Sequence, residues 1–228
     1  MEQENNLDSV IDNFEQQENL SDKEIFTKIW TSPRKVFKYI VDRKYEKYVV
    51  PLLILAGISN AFSQAINKNM GDNLPILCVI LICIIAGSLF GWLSFYIYAA
   101  LLSWTGKWLK GEGNTDSFLR IISYAMIPSI VAMVLLIPQI GILGADLFKA
   151  NSDFEGASAL SMMVSGILLI VTGVLQIILG IWTIVLCVVG ISEVQKFSVG
   201  KSILNMLMPG LLLLAIVLPI VLLIIILK

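Results

Sequence analysis

The chain has 228 residues, of which 57% are hydrophobic and 14% are charged, and its mean hydropathy is +0.84. A soluble domain has about 45–50% apolar and about 25% charged residues, so this composition excludes a soluble protein. The net charge of −1 gives no basic bias toward nucleic acid. The absence of histidine excludes histidine-based zinc sites and catalysis by Ser-His or Cys-His pairs.

The first 20 residues are acidic and rich in Asn, Gln and Glu. Such a segment cannot bury enough apolar surface to fold, so residues 1–20 are predicted to form a disordered polar tail. It lacks the basic region and the following apolar region of a cleavable signal peptide. We therefore expect the first true membrane span to direct insertion.

Residues 21–47 are predicted to form two basic amphipathic helices that lie in the membrane interface. Ser21 and Glu24 have the spacing of a capping box, and Ser32-Pro33 is typical of the start of a second helix. The predicted partner is membrane lipid, anionic at the cytoplasmic face. The residues predicted to contact the membrane surface are Trp30, Arg34, Lys35, Phe37, Lys38, Arg43, Lys44 and Lys47.

Residues 48–228 are predicted to form a five-span membrane domain, which makes the fold all-α: a polytopic bundle of transmembrane helices. A helix needs about 20 apolar residues to cross a bilayer. The predicted spans are 48–66, 74–102, 121–148, one within 157–191, and 206–227. With these spans, 13 of the 16 Lys and Arg residues fall on one side of the membrane. This asymmetry predicts that the N-terminus lies in the cytoplasm and the C-terminus outside.

Small residues inside the spans predict where helices pack closely. Gly87 and Gly91 form a G-x-x-x-G pattern in the second span. The fourth span carries Gly166, Gly173 and Gly180 at intervals of seven residues. This second stripe predicts a packing seam either within the chain or between two chains, and we favour packing within the chain. Uncharged polar residues, among them Gln139 and Gln176, are expected to form hydrogen bonds between helices.

Pro128 and Pro138 lie inside the third span. Proline removes a helical hydrogen bond, so each residue should kink the helix. The prolines either form a hinge, as at the broken helices of transporters, or fix static kinks. We favour static kinks because no charged residue lies near either proline at mid-depth.

Catalytic motifs are absent from the sequence, and we predict no enzyme activity, no cofactor and no metal site. The run Lys110-Gly111-Glu112-Gly113 is rich in glycine, but no predicted strand precedes it. It therefore does not indicate a nucleotide-binding loop.

The segment from Trp108 to Pro128 contains a helix end, a glycine-rich polar loop, a phenylalanine in an amphipathic turn, and a span that opens at Tyr-Ala-x-x-Pro. In these features it resembles the Yip-domain family. The run from Ile29 to Pro33 and the loop from Gly190 to Ser198 are also similar to the family, so that the resemblance covers about residues 25–228. The residues that match the family motif are Gly111, Gly113, Phe118, Tyr124 and Pro128.

The resemblance implies a five-span membrane protein with its N-terminus inside. Eukaryotic members of the family associate with Rab-type small GTPases and with each other, and act in vesicle traffic and membrane shaping. This chain lacks their long Pro/Gly/Gln-rich tail and looks like a prokaryotic member, so a Rab partner is not expected. The expected location is the bacterial cytoplasmic membrane.

Two functions of different classes fit these features. The first is a non-enzymatic scaffold or adaptor that acts through helix–helix and membrane-surface contacts, either as a homo-oligomer or with other membrane proteins. The second is a transporter or channel for a small molecule or lipid, which predicts a cavity that reaches mid-membrane. An intramembrane enzyme is a third alternative, but the sequence offers no pairing of a nucleophile with a base.

Overall fold

A computed structural model describes residues 20–151 and 158–226, and every regular element in these two ranges is a helix. The predicted tail, residues 1–20, lies outside the described residues except for Leu20, which is buried. Two short helices, α1 (Asp22–Lys28) and α2 (Pro33–Asp42), precede the bundle.

The start of α1 is fixed by the capping box that the sequence predicts. The backbone N–H of Ser21 donates to Oε2 of Glu24 at 3.0 Å, and the backbone N–H of Glu24 donates to Oγ of Ser21 at 3.4 Å. These two bonds satisfy backbone donors that a helix start leaves without partners. Pro33 is the first residue of α2, where its missing N–H costs nothing.

Five stretches of the described residues are long and apolar enough to cross a membrane, which confirms the predicted five-span, all-helical fold. The third span consists of three short helices, and the other spans are single helices. The elements are α3 (Val49–Asn67), α4 (Ile76–Trp108), α5 (Thr115–Ala125), α6 (Ile127–Val134), α7 (Leu136–Leu143), α8 (Ala159–Gln195) and α9 (Val199–Ile226).

Several helices extend past their predicted spans at one end of the bundle. Helix α4 continues to Trp108 and α8 to Gln195, and α9 begins at Val199. At about 1.5 Å per residue, α4 and α8 are longer than the roughly 30 Å of hydrocarbon in a bilayer. Hydropathy marks only the apolar part of such a helix, so the extensions were outside the predicted spans.

The third span is broken where its prolines require it. Helix α5 ends before Met126 and α6 ends before Leu135, so that Pro128 and Pro138 lie in the first turns of α6 and α7. A proline in the first turn removes a donor that has no helical partner anyway. The span also starts earlier than predicted, because Oδ1 of Asn114 accepts from the backbone N–H of Ser117 at 2.9 Å and caps α5.

The larger hydrophobic core lies at the end of the bundle where α1 and α2 pack against α5 and α8. We call this region the capped end. Its largest fully buried side chains include Ile25, Phe37, Phe118, Tyr124 and Ile191. A smaller core around Phe62 and Phe148 lies at the opposite end.

The packing of α2 corrects the prediction that its apolar face contacts lipid, whereas the position of the helix at the membrane interface stays a prediction. Val36, Phe37 and Ile40 are fully buried in the core that α2 forms with α5 and α8. Phe37 therefore contacts protein and not lipid, and Trp30 packs partly against the same core. An apolar stripe has the same sequence pattern whether its partner is a bilayer or another helix. The six basic residues predicted at the surface, Arg34, Lys35, Lys38, Arg43, Lys44 and Lys47, are exposed, and their contact with lipid stays a prediction.

Candidate functional site

Gly87 and Gly91 lie in the contact between α4 and α3. A Cβ atom on Gly91 would be 2.3 Å from Cα of Gly57, and one on Gly87 would be 2.7 Å from Cα of Ile58. The two backbones therefore approach so closely that no side chain fits between them. Gly57 completes this seam, and sequence reasoning missed it because a single glycine on α3 has no spacing pattern of its own.

A polar network at the capped end is organised around Gln195, which is 1% exposed. Its Oε1 accepts from the backbone N–H of Gly113 at 2.8 Å, and its Nε2 donates to the carbonyl of Leu102 and to Oδ1 of Asn205, both at 3.3 Å. Asn205 in turn donates to Oγ1 of Thr105 at 2.8 Å. The network joins α4, the following loop, α8 and α9.

Three glycines make room for Gln195. A Cβ atom on Gly106 would lie 1.7 Å from Nε2 of Gln195, one on Gly111 would lie 2.0 Å from its Oε1, and one on Gly113 would lie 3.1 Å from the same oxygen. Gly111 and Gly113 are the glycines of the family-motif loop. Their role here is to let the loop close on a buried amide.

The other motif residues extend this packing toward the N-terminal helices. Phe118 and Tyr124 are fully buried, and Pro128 is also buried. The ring of Tyr124 lies 6.2 Å from the rings of Phe26 and Tyr45, measured between centroids. The motif therefore holds α1 and the segment before α3 against α5.

Two ion pairs link neighbouring elements at the surface of the same region. Nε of Arg34 lies 2.9 Å from Oε1 of Glu193, which links α2 to α8. Nε of Arg120 donates to Oε1 of Glu46 at 3.0 Å, which links α5 to the segment before α3. Because charge is removed from water only in part at these positions, each pair contributes modestly to stability.

Asp22, at the start of α1, accepts hydrogen bonds from three side chains. Lys47 donates to Oδ2, while the hydroxyls of Tyr45 and Tyr48 donate to the two carboxylate oxygens at 2.6 and 2.7 Å. These hydrogen bonds, that from Lys47 first, hold the pKa of Asp22 well below its usual range. The same contact raises the pKa of Lys47, and burial, aided by Asp22, raises the pKa of Tyr45.

The glycine stripe of the fourth span has a different environment. A Cβ atom on Gly166, Gly173 or Gly180 would meet nothing within 4 Å in the described part of the chain. The neighbouring Ile170 and Ile177 are 69% and 64% exposed. The favoured expectation of packing within the chain is therefore not met at these three glycines. We call their surface the open face of α8; packing between chains stays a prediction.

A cavity of about 330 Å³ lies between α3, α6, α7 and α8, beside the breaks of the third span. Its apolar wall includes Ile66, Met133 and Leu136. Oγ of Ser59 donates to the carbonyl of Ser129 at 3.0 Å across it. The polar side chains that line it are Ser59, Ser63, Asn67, Ser129 and Gln176.

Gln139 and Gln176 have separate surroundings, although the sequence predicts hydrogen bonding for both. Nε2 of the buried Gln139 donates to Oγ1 of Thr172 at 2.5 Å and joins α7 to α8. Gln176 forms no hydrogen bond to another described residue and points to the cavity. The sequence could not distinguish the two glutamines, because both lie in apolar helices.

Comparison with protein families settles what kind of chain this is. A family model of the Yip1 domain matches residues 27–222, from α1 through most of α9. The chain belongs to the Yip1-domain family. Neither the curated proteins nor the solved structures that were compared gave a match. Together with the five long apolar stretches, the family makes this a multi-pass membrane protein.

Within this Yip1 domain, sequence reasoning found the motif loop but missed the side chain on which it closes. Gln195 lies at the end of α8, in the segment already noted as similar to the family. A glutamine beside a loop is ordinarily exposed, so nothing in its immediate sequence indicates burial. Only the pairing of two small-residue segments, Gly111–Gly113 and the end of α4, could have suggested a buried polar partner.

Proposed function

We propose that this Yip1-domain protein is a non-enzymatic membrane scaffold that assembles with a further copy of itself through the open face of α8. The observation that carries the proposal is the open space at Gly166, Gly173 and Gly180. Lipid tails are as apolar as leucine, so helices associate in a bilayer mainly through close packing, which small residues permit. The seam of Gly57 with Gly87 and Gly91 shows that this chain uses glycines in that way.

Basic side chains in and just after α2 supply the second part of the proposal, contact with a membrane surface. Lys38 in α2, and Arg43 and Lys44 just after it, are exposed, whereas the apolar face of α2 is buried. They would act as point charges above an anionic leaflet, each contributing about 1 kcal/mol. We place this end in the cytoplasm on the basis of the Lys and Arg asymmetry, and the protein in a bacterial cytoplasmic membrane because of its resemblance to prokaryotic members of the family.

Cysteine crosslinking in native membranes tests the assembly surface. In a chain with Cys78, Cys83 and Cys187 changed to alanine, Ile170→Cys on the open face should form a disulfide-linked dimer under mild oxidation. Leu214→Cys on α9 is the matched control, because it is also an exposed apolar position. If both positions crosslink equally, or neither does, the open face of α8 is not the assembly surface.

The cavity favours a second candidate, a transporter or channel for a small molecule or lipid. It lies beside the proline-broken third span and reaches Ser59 and Gln176, near the middle of α3 and α8. The test is flux across proteoliposomes. A flux that survives when Ala132 in the cavity wall is changed to Trp would exclude a route through this cavity.

A further inference from the structure

Three polar residues of α3 form a line into the bilayer. Ser59, Ser63 and Asn67 are four residues apart, so they lie on one face of the helix. Asn67 ends the helix, and Ser59 lies about 12 Å further in at 1.5 Å per residue. Ser129 and Gln176 face this line across the cavity.

The two amides of this site differ from those of the capped end. Among the described residues, the side chains of Asn67 and Gln176 form no hydrogen bond, whereas the amides of Gln195 and Asn205 at the capped end are both bonded. Gln176 is half-buried and lies near the middle of α8. A polar group at that depth that has no partner is costly. The cavity therefore needs a ligand or water to complete its hydrogen bonds.

The chemistry of the lining restricts that ligand. The polar groups are three hydroxyls and two carboxamides, and no acidic or basic side chain is among the described residues that line the cavity. An ion bound here would have no counter-charge at bilayer depth, which is strongly unfavourable. The site suits a group that is polar and carries no net charge.

The surroundings of the cavity indicate that the ligand is an amphiphile. Residues adjacent in sequence to its lining are exposed and apolar: Val134 is 54% exposed, Ile137 is 69% exposed and Ile177 is 64% exposed. These side chains form the kind of surface that faces acyl chains. The mouth residues Ser63 and Asn67 are exposed at the end of α3 that meets the membrane–water interface.

We propose that this cavity binds the headgroup of a membrane lipid that carries no net charge, from the leaflet at the Asn67 end of α3. The headgroup sits against Ser59, Ser63 and Gln176, and its acyl chains leave along the exposed apolar side chains of α7 and α8. The cavity volume of about 330 Å³ is within the range of small-ligand sites. The cavity and the open face of α8 meet at Gly180. This inference still does not depend on the scaffold proposal, because the polar line of Ser59 and Ser63 lies on α3 and not on the open face.

Native mass spectrometry of the full chain tests the site. The protein is reconstituted in nanodiscs with equal amounts of zwitterionic phosphatidylethanolamine and anionic phosphatidylglycerol, then released into mild detergent. We expect phosphatidylethanolamine to be retained in preference. Ser63→Leu and Gln176→Leu should each lower its retention about tenfold, since each removes a hydrogen-bonding group.

Two matched controls separate the site from general effects. Ser94→Leu removes a serine that, like Ser63, is exposed and bonded to its own helix, and Gln64→Leu removes an exposed glutamine outside the cavity. Both should retain the lipid as the parent does. Circular dichroism and thermal unfolding establish that all four variants remain folded.

The remaining outcomes overturn the proposal. Equal retention of phosphatidylethanolamine and phosphatidylglycerol would mean that the cavity does not select a headgroup with no net charge. Retention unchanged by Ser63→Leu and Gln176→Leu would place the lipid elsewhere. If free phosphoethanolamine at millimolar concentration displaces the lipid, or binds when no lipid does, the ligand is a soluble solute and not a membrane lipid.

Discussion

The regularly spaced glycines of α4, at an interval of four residues, and those of α8, at intervals of seven, have opposite environments. At the α3–α4 seam, Gly57 and Gly91 lie so close that a Cβ atom on either would overlap the other's backbone. On the open face of α8, Gly173 and its two neighbours meet nothing within 4 Å in the described residues. Close packing requires two surfaces, and spacing in one helix specifies only one of them.

The half-buried Gln176 contrasts in the same way with the fully buried amides of the capped end. Gln195 and Asn205 at the capped end complete each other's hydrogen bonds and those of Leu102 and Gly113. Gln176, at mid-depth in α8, forms none with the described residues. The amides of the capped end thus find their partners within the chain, and the part of the bundle around the open face and the cavity has surfaces that a second chain or a lipid can complete.

A substitution at the α3–α4 seam should lower the stability of the protein more than any other change considered below. Gly91→Leu forces a side chain into the backbone of Gly57, so we expect the free energy of unfolding to fall by about 3 kcal/mol or more. Thermal unfolding in mild detergent measures this. The matched control, Gly210→Leu, adds the same side chain where no atom of the described residues lies within 4 Å of the added Cβ and should unfold like the parent. A Gly91→Leu variant as stable as that control would contradict the seam.

Removing the central amide of the capped end should have the next largest effect. Gln195→Leu removes the acceptor of the Gly113 backbone N–H and the donor to Oδ1 of Asn205, which costs about 1–3 kcal/mol for a buried group. Thermal unfolding again measures the loss, and Gln64→Leu at an exposed position should be nearly neutral. Equal stability of the two variants would show that the network is not a stabilising element.

The basic surface of α2 should contribute less to the stability of the protein, and only where the lipid is anionic. We expect phosphatidylglycerol nanodiscs to stabilise the protein relative to phosphatidylcholine nanodiscs, and rising salt to remove the difference. Lys38→Gln should reduce the difference by about 1 kcal/mol or less. A stabilisation that does not respond to salt would show that the exposed basic residues do not contact lipid.

The smallest expected effect is on helix α1 alone, where the hydrogen bonds of Asp22 depend on pH. The pKa of Asp22 is lowered in the folded protein, so its contribution is present above the usual Asp pKa, about 3.9, and is lost as pH falls through the lower folded value. Asp22→Asn should release α1 already at neutral pH, measured as faster amide exchange across Asp22–Lys28. Asp42→Asn, at the exposed end of α2, should not change that exchange.

Local chemistry made much of the fold predictable. The capping box at Ser21, the breaks at Pro128 and Pro138 and the five apolar stretches each depend on a few adjacent residues. The partners of those elements were not predictable in the same way. The stripe around Phe37 is apolar whether it meets lipid or α8, and only the assembled bundle shows which surface it meets.

The candidate sites divide along the same line. The motif residues Gly111, Gly113 and Phe118 were visible because they resemble a family pattern, and the structure brings them together at the capped end. Gln195 and Gly57 were missed because each acts through a residue distant in sequence. The cavity was missed because Ser59, Ser63 and Asn67 lie in a span whose overall hydropathy is high.

The mass of the protein released from native membranes into mild detergent tests most directly whether the open face of α8 binds a second copy of the chain. We expect a defined homo-oligomer for the parent and for Gly210→Leu, and a folded monomer for Gly173→Leu, because a leucine on the open face prevents close approach without disturbing the chain's own core. A Gly173→Leu protein that keeps the oligomer, or a parent that is monomeric throughout, would contradict assembly through this face.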